Sequence, residues 1–371
     1  MSKEKSSSVS VPTGLHLQSR FFAATQKLWY RLGKLETSVL ADELEQVSIR
    51  KPIYVASLAR SGTTILTEML EKHPDVTSHR YSDFPNIWTP FWRNYLLQKT
   101  RQQTPELAER AHKDRIQISN DSPEAIEEVL WMNFFPSCHQ EGVNNTLDGE
   151  VANEAFESFY RDHIRKLLLV RNSTRYLAKG NYNVGRFAYI LKLFPDARFV
   201  VPYRNPINHI ASLVKQHRFF LKAQETDPRI GKQLAFTGHL EFGPYRSAIH
   251  FGNNANYQAI KQAWADGREV EGWALYWAET YRYLLDQTRS NEAVGQACRF
   301  FSYEELCDNS EQSIDRVVEH CELDPHTFTS VREYYSDHLS PPDYYRPDFD
   351  NTEKAIIEEI CGPVVSELGN S

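Results

Sequence analysis

The stretch from Ile53 to Leu70, Ile-Tyr-Val-Ala-Ser-Leu-Ala-Arg-Ser-Gly-Thr-Thr-Ile-Leu-Thr-Glu-Met-Leu, constrains this chain more than any other. It opens on a short apolar, partly β-branched run, residues 53–58, whose length and composition suit a strand buried on both faces. A polar turn follows: Arg60, Ser61, Gly62, Thr63, Thr64. Ile65, Leu66, Met69 and Leu70 then recur at the spacing of a helix face. The unit is strand, small-residue loop, helix. A helix N-terminus presents unpaired N–H groups and a partial positive charge, which makes it an anion site. Gly62 lets backbone approach the anion closely. The Ser and Thr hydroxyls add donors, and Arg60 adds a charge with forked N–H groups.

A nucleotide-hydrolysing loop reads G-x-x-x-x-G-K-[ST], with its Lys directed at the β/γ-phosphates. Here Thr63 stands at the Lys position, Ser57 stands at the first Gly, and the cation lies upstream at Arg60. The loop suits a phosphate-like anion without the usual triphosphate and magnesium machinery. A βα turn that is merely rich in small polar residues stays open on these residues alone. The Arg-Ser-Gly-Thr-Thr loop resembles that of sulfotransferases using 3′-phosphoadenosine 5′-phosphosulfate (PAPS), and is similar to the branch of tyrosylprotein and carbohydrate sulfotransferases. The resemblance implies that residues 60–64 bind the 5′-phosphosulfate.

Along the chain, residues 1–15 read as a flexible tail and 16–371 as a single domain with two insertions, about 86–150 and 217–271. A helix is expected over 21–47. Strands are expected near 53–58, 175–179, 198–203 and 298–303, with a further strand end at 76–80. Helices are expected over 152–170, 184–194, 207–216, 271–288, 313–321 and 354–365. Asn205 suits a helix cap and Pro206 the first helical position; Ser122-Pro123 carries the same signal. Trp88, Phe91, Trp92 and Tyr95 form an aromatic cluster, either the core of an inserted cap or a ring-stacking surface. Alternating strands and helices imply an α/β fold, a parallel sheet flanked by helices, with ligands at the carboxyl ends of the strands. The resemblance makes this the P-loop-like sulfotransferase fold.

A second signal lies at a strand exit. Arg204, in Tyr-Arg-Asn-Pro, is followed by Ser212 eight residues later. In the family an Arg and a Ser at this spacing contact the 3′-phosphate, the group that separates PAPS from ATP. The resemblance also implies a charge-neutralising role for Lys179, at the end of a strand, and an adenine-side position for Tyr303 in Tyr-Glu-Glu-Leu. Asp83 is the expected catalytic base, on the turn after His73-Pro-Asp-Val76, with His79 as the second choice; Arg60 and Lys179 complete the catalytic set. There are departures: Ile65 replaces an aromatic of the small-molecule branch, and that branch's Lys-x-His between the motifs and C-terminal Arg-Lys-Gly are absent. A phenol or steroid acceptor is therefore disfavoured. A carbohydrate, a lipid or another small hydroxylated molecule is expected.

Composition narrows the alternatives. The formal net charge of −7 argues against general nucleic-acid or anionic-membrane binding, though not against a local basic cleft. The five cysteines are widely spaced without CxxC, and the acidic residues and histidines show no paired-ligand spacing, so neither a disulfide framework nor a metal is expected. No secretory leader or spanning run is read, and a cytoplasmic protein is expected. A nucleotide kinase or NTPase of related architecture, and a non-catalytic module keeping the cofactor cleft, are the competing readings. The sequence does not specify the oligomeric state.

Overall fold

Alternate residues of the opening strand pack into different cores, which is possible only inside a sheet covered on both faces. The computed structural model describes residues 10–100, 108–109, 117–341 and 347–369. Besides a two-stranded antiparallel pair, Ala108–Glu109 with Gln117–Ile118, its strands are β1 (Ile53–Val55), β2 (Val76–Ser78), β3 (Arg175–Lys179), β4 (Arg198–Tyr203) and β5 (Cys298–Ser302). They form a five-stranded sheet in the order β2-β3-β1-β4-β5, every pair parallel. Ile53, Val55, Leu177 and Val200 pack with Leu66, Met69, Leu70 and Ile314 on one face. Tyr54, Tyr176, Phe199 and Val201 pack with Phe156, Tyr160 and Ile164 on the other.

The helices that matter below are α1 (Thr13–Ala24), α2 (Gln26–Val39), α3 (Thr63–Glu71), α4 (Glu154–Arg171), α5 (Pro206–Thr226) and α6 (Glu269–Ser290). The chain leaves β1 for the edge at β2, returns through β3, then crosses β1 to β4. That reversal opens a crevice at the carboxyl ends of β3, β1 and β4, where an open α/β sheet binds ligands. α3 starts directly above β1, as the sequence pattern requires, and Asn205 caps α5 with Pro206 at its first turn.

Several expectations change. The helix expected over 21–47 is broken at Thr25 and Leu40 into α1, α2 and a short helix Ala41–Glu45, without a Gly or Pro to announce the breaks. Of the expected tail, residues 1–9 lie outside the described residues, and α1 begins at Thr13. The helix expected to end at 216 continues as α5 to Thr226, because His217, Phe220 and Ala223 bury one face, and helices Arg229–Phe236 and Asn254–Ala265 follow in the insertion. Ser122-Pro123 starts no helix; Pro123 bridges Arg80, and the helix begins at Glu128. Trp88 is core, buried with Ile87, Leu130 and Phe159. Of the aromatic cluster, Trp88 thus serves packing, while Tyr95 is exposed.

One buried ion pair ties α2 to α4. Lys166 Nζ lies 3.2 Å from Glu36 Oε2, with both side chains fully buried. Lys166 also donates to Gly33 O at 2.7 Å, and Glu36 Oε1 accepts from Trp92 N at 2.6 Å. Removing one partner strands the other charge in the core. Lys166→Met is expected to lower the unfolding free energy by about 3–5 kcal/mol, with Glu36→Gln/Lys166→Met recovering part of the loss. Urea titration measures both; equal stabilities for wild type and Lys166→Met would contradict the role given to the pair.

Candidate active site

The loop between β1 and α3 takes a shape that few residues allow. Gly62 caps α3 at φ 108°, in the left-handed region. A Cβ there would lie 2.5 Å from the ring of Tyr303, so Gly is required for both reasons. Arg60 is also left-handed, at φ 71°. Buried side chains hold the loop from beneath. Ser57 Oγ donates to Pro202 O at 2.6 Å, 2.8 Å from Tyr281 Oη. The His209 ring lies with Nε2 2.8 Å from Ala59 O, and Nδ1 accepts from Trp277 Nε1 at 3.0 Å. Nδ1 therefore carries no proton and Nε2 donates. Burial, partly offset by the Ala59 carbonyl, pushes the His209 pKa down to about 3, so the ring is a neutral strut.

Three cations converge above this loop. Arg204, just past β4, donates to Arg60 O at 3.3 Å and lies over the Tyr303 ring, 5.0 Å from its centroid. Arg60 Nε donates to Ser212 Oγ at 3.2 Å. Lys179, the last residue of β3, donates to Thr64 Oγ1 at 3.3 Å. The loop lacks the lysine of a nucleotide-hydrolysing loop, and a neighbouring strand brings a lysine to the same helix start instead. Arg60, Ser61, Gly62, Thr63, Thr64, Lys179, Arg204, Ser212 and Tyr303 thus stand together around the N-terminus of α3. Ser61 Oγ and Arg204 Nε are buried without a protein partner. Buried donors left unpaired beside a helix N-terminus and three cations fit a ligand with anionic oxygens.

Asp83, the expected base, does not join this group. Its carboxylate is 1% exposed and accepts from Arg171 Nη2 at 2.7 and 2.9 Å, from Arg80 N at 2.9 Å and from Asn94 Nδ2 at 2.9 Å. His79 lies 3.2 Å away. Burial alone would raise the Asp83 pKa; Arg171 and His79 outweigh it and hold the group well below the usual carboxylate range. A carboxylate so engaged is a structural hub. His79, the second choice, is also buried, between Asp83 and His163 Nε2 at 2.9 Å.

The carboxylate that does reach the crevice is Glu124. Residues 120–124 return from the insertion and lie antiparallel to residues 79–82, with Tyr81 N bonded to Ser122 O and Glu124 N to His79 O. This brings Glu124 Oε1 to 3.0 Å from Lys179 Nζ, with side-chain exposures of 10% and 8%. Burial raises the Glu124 pKa, but Lys179, His239 and Tyr81 outweigh it and the group is held below the carboxylate range. Beyond Lys179 a small pocket is lined by Glu127, Trp131, Asn181, His239 and Glu241. No sequence motif marks Glu124 or His239, which are assembled only by tertiary pairing.

Among the described residues, one cluster has the spacing of metal ligands: Glu128, Cys138 and His139. Arg186 already donates to both Glu128 oxygens, at 2.7 and 2.8 Å, so the cluster reads as a buried ion-pair hub. Burial lowers the His139 pKa, yet its hydrogen bonds with Cys138 and Glu128 push it up to about 9.

The structural role of Asp83 has a test. Asp83→Asn is expected to lower the unfolding free energy by about 3–5 kcal/mol, because it leaves Arg171 buried without its partner. The folded pKa lies below the unfolded value of about 3.9, so the contribution is complete above that pH and fades as acid titrates the group. Urea midpoints of wild type and variant should differ most near neutrality and converge below about pH 4. A constant difference across this range would refute the ion-pair account.

Residues 52–238, half of the chain, match the model of the sulfotransferase family. No curated protein matches significantly. Among solved structures, a sulfotransferase from Mycobacterium avium is 14% identical, with TM-score 0.49 over 90% of this chain and 81% of its own. One from Mycobacterium tuberculosis is 12% identical, with TM-score 0.49 over 94% and 90%. The sulfotransferase domain of the curacin biosynthetic pathway is 12% identical, with TM-score 0.39 over 86% and 98%. On the matched half, which holds both the anion loop and Arg204, the chain belongs to the sulfotransferase family.

Proposed function

We propose that this sulfotransferase uses PAPS as donor and transfers its sulfuryl group to a hydroxylated acceptor held beyond Lys179. The observation that carries the reading is the joining of the two motifs. Arg60 bonds to Ser212 and Arg204 bonds to the Arg60 carbonyl, so one charged floor serves two anionic groups. PAPS supplies the activated sulfuryl group. The α3 N-terminus, Ser61, Thr63 and Thr64 would hold its 5′ end, Arg204 and Ser212 its 3′-phosphate, and Tyr303 would lie on the adenine side. We assign the charge facing the transferring group to Lys179, because Arg60 turns to Ser212 and acts as the link between motifs.

We infer that Glu124, not Asp83, takes the acceptor proton. In the resting protein Lys179 keeps the Glu124 carboxylate ionised and only weakly basic. When Lys179 turns to an anionic partner, Glu124 loses its main neighbouring cation and becomes a stronger base at the moment a proton must move. The pocket beside it supports a polar acceptor. Glu127 Oε2, Trp131 Nε1 and Asn181 Oδ1 are buried without a protein partner, an offer of acceptors and a donor suited to hydroxyl groups. A carbohydrate or another small hydroxylated molecule answers that pattern better than a phenol. Among the described residues no helix is long and apolar enough to cross a membrane, and the five cysteines are free thiols. The free thiols support our placing the reaction in the cytoplasm.

Two measurements test this reading. 3′-Phosphoadenosine 5′-phosphate should stabilise the protein to heat far more than ADP does. Arg204→Ala should remove most of that preference, through loss of a charge-assisted contact worth about 1.5–3 kcal/mol. Equal stabilisation by ADP would favour a nucleotide kinase or NTPase. Glu124→Gln should cut turnover by about 10²–10⁴-fold while leaving nucleotide binding intact. Unchanged turnover in Glu124→Gln would remove it as the base, and nucleotide binding with no transfer to any hydroxylated acceptor would favour a binding module.

A further inference from the structure

The two N-terminal helices carry a surface that the crevice does not use. The solvent side of α2 consists of two adjacent rows. One row is Lys27, Arg31 and Lys34, all exposed. The other is Leu28, Leu35 and Val39, exposed to 51%, 52% and 60%. Spacings of three, four and seven residues keep each row on one stripe of the helix. α1 adds Leu17 and Phe21 one turn apart, with exposed Arg20 beside them. Rings join the two helices where they meet, with Phe21 and Phe22 both against Trp29, at 6.4 and 4.5 Å between centroids. Among the described residues, five of the eleven large exposed hydrophobics lie on α1 and α2, a concentration that scattered surface leucines do not explain.

The charge of this surface opposes that of the chain. α1 contains no acidic residue, and the one in α2, Glu36, is buried against Lys166. Exposed acids begin only past α2, at Asp42, Glu43 and Glu45, and bound the surface at that end. A net charge of −7 thus conceals a positive, apolar face. A second copy of the chain would set one cation row against another across a two-fold contact. A sheet of anionic headgroups over an apolar layer matches both rows at once.

We propose that α1 and α2 form a peripheral docking surface for anionic lipid membranes. Lys27, Arg31 and Lys34 meet the headgroups, and Leu17, Phe21, Leu28, Leu35 and Val39 enter the boundary with the acyl chains. The test is co-sedimentation of the purified full chain with vesicles of phosphatidylcholine alone and of phosphatidylcholine mixed with phosphatidylserine, across a salt series. Wild type should bind the mixed vesicles, release them as salt rises, and ignore the neutral ones. Lys27→Glu/Arg31→Glu/Lys34→Glu should lose at least ~10²-fold in affinity, since each cation near an anionic surface contributes about fivefold. Leu28→Ser/Leu35→Ser/Val39→Ser should also bind more weakly, and both variants should keep the wild-type thermal transition because every altered side chain is exposed. If a variant fails to fold, the lipid and salt dependence of the wild type decides. The proposal is overturned by failure to bind mixed vesicles, by equal binding to neutral ones, by undiminished binding of the charge-reversed protein, or by lipid-free self-association that the serine variant abolishes.

Discussion

Everything in the crevice depends on a helix N-terminus held open by a strained loop. Partial positive charge at the start of α3 is a property of any helix; what is particular here is that three more positive groups are placed around it. Arg60, Lys179 and Arg204 would repel one another without a counter-charge. The fold supplies one counter-charge, Glu124 at 3.0 Å from Lys179, and also bonds Arg60 to Ser212, Lys179 to Thr64 and Arg204 to the Arg60 carbonyl. Beneath them the neutral imidazole of His209 and the hydroxyls of Ser57 and Tyr281 anchor the loop without adding charge. Repulsion accepted at one site and covered by packing elsewhere is the signature of a preorganised anion site.

The geometry of the anion loop was legible in the sequence because it is built from local segments. A strand, a turn and the first turn of a helix are contiguous, so residues 60–64 declare their geometry through residue type alone. Arg204 and Ser212 are likewise read within one strand exit and one helix, and the five strands run where apolar composition puts them or a few residues shorter. Lys179 was singled out by the family resemblance, and its place at the end of β3 puts it at the carboxyl edge of the sheet.

The positions of Asp83 and Glu124 were not legible, for a physical reason. Asp83 follows β2 closely in sequence, but its turn folds inward onto Arg171, which lies 88 residues away. Glu124 stands 41 residues beyond Asp83 and reaches the carboxyl end of β2 only because residues 120–124 pair with residues 79–82. Nothing local distinguishes a carboxylate that will be saturated by an arginine from one that will face a cleft. The long helical insertions blurred in the same way. Their aromatic and glycine content reads as irregular, while burial of alternate turns, as at His217 and Phe220, decides for helix.

This division has a mechanistic consequence at the contact between Lys179 and Glu124. Lys179 belongs to the sheet and Glu124 to the insertion, so the ion pair is where the two halves of the site meet. A lysine that bonds both Thr64 of the anion loop and Glu124 of the insertion stands between a neutral hydroxyl and a carboxylate. As charge builds on the loop side, its hold on the carboxylate weakens and the carboxylate gains basicity. Under the proposed function, the carboxylate that would accept the proton is restrained until the anion is in place, and the pairing needs no moving domain, only a flexible four-carbon side chain within reach of both the carboxylate and the incoming anion.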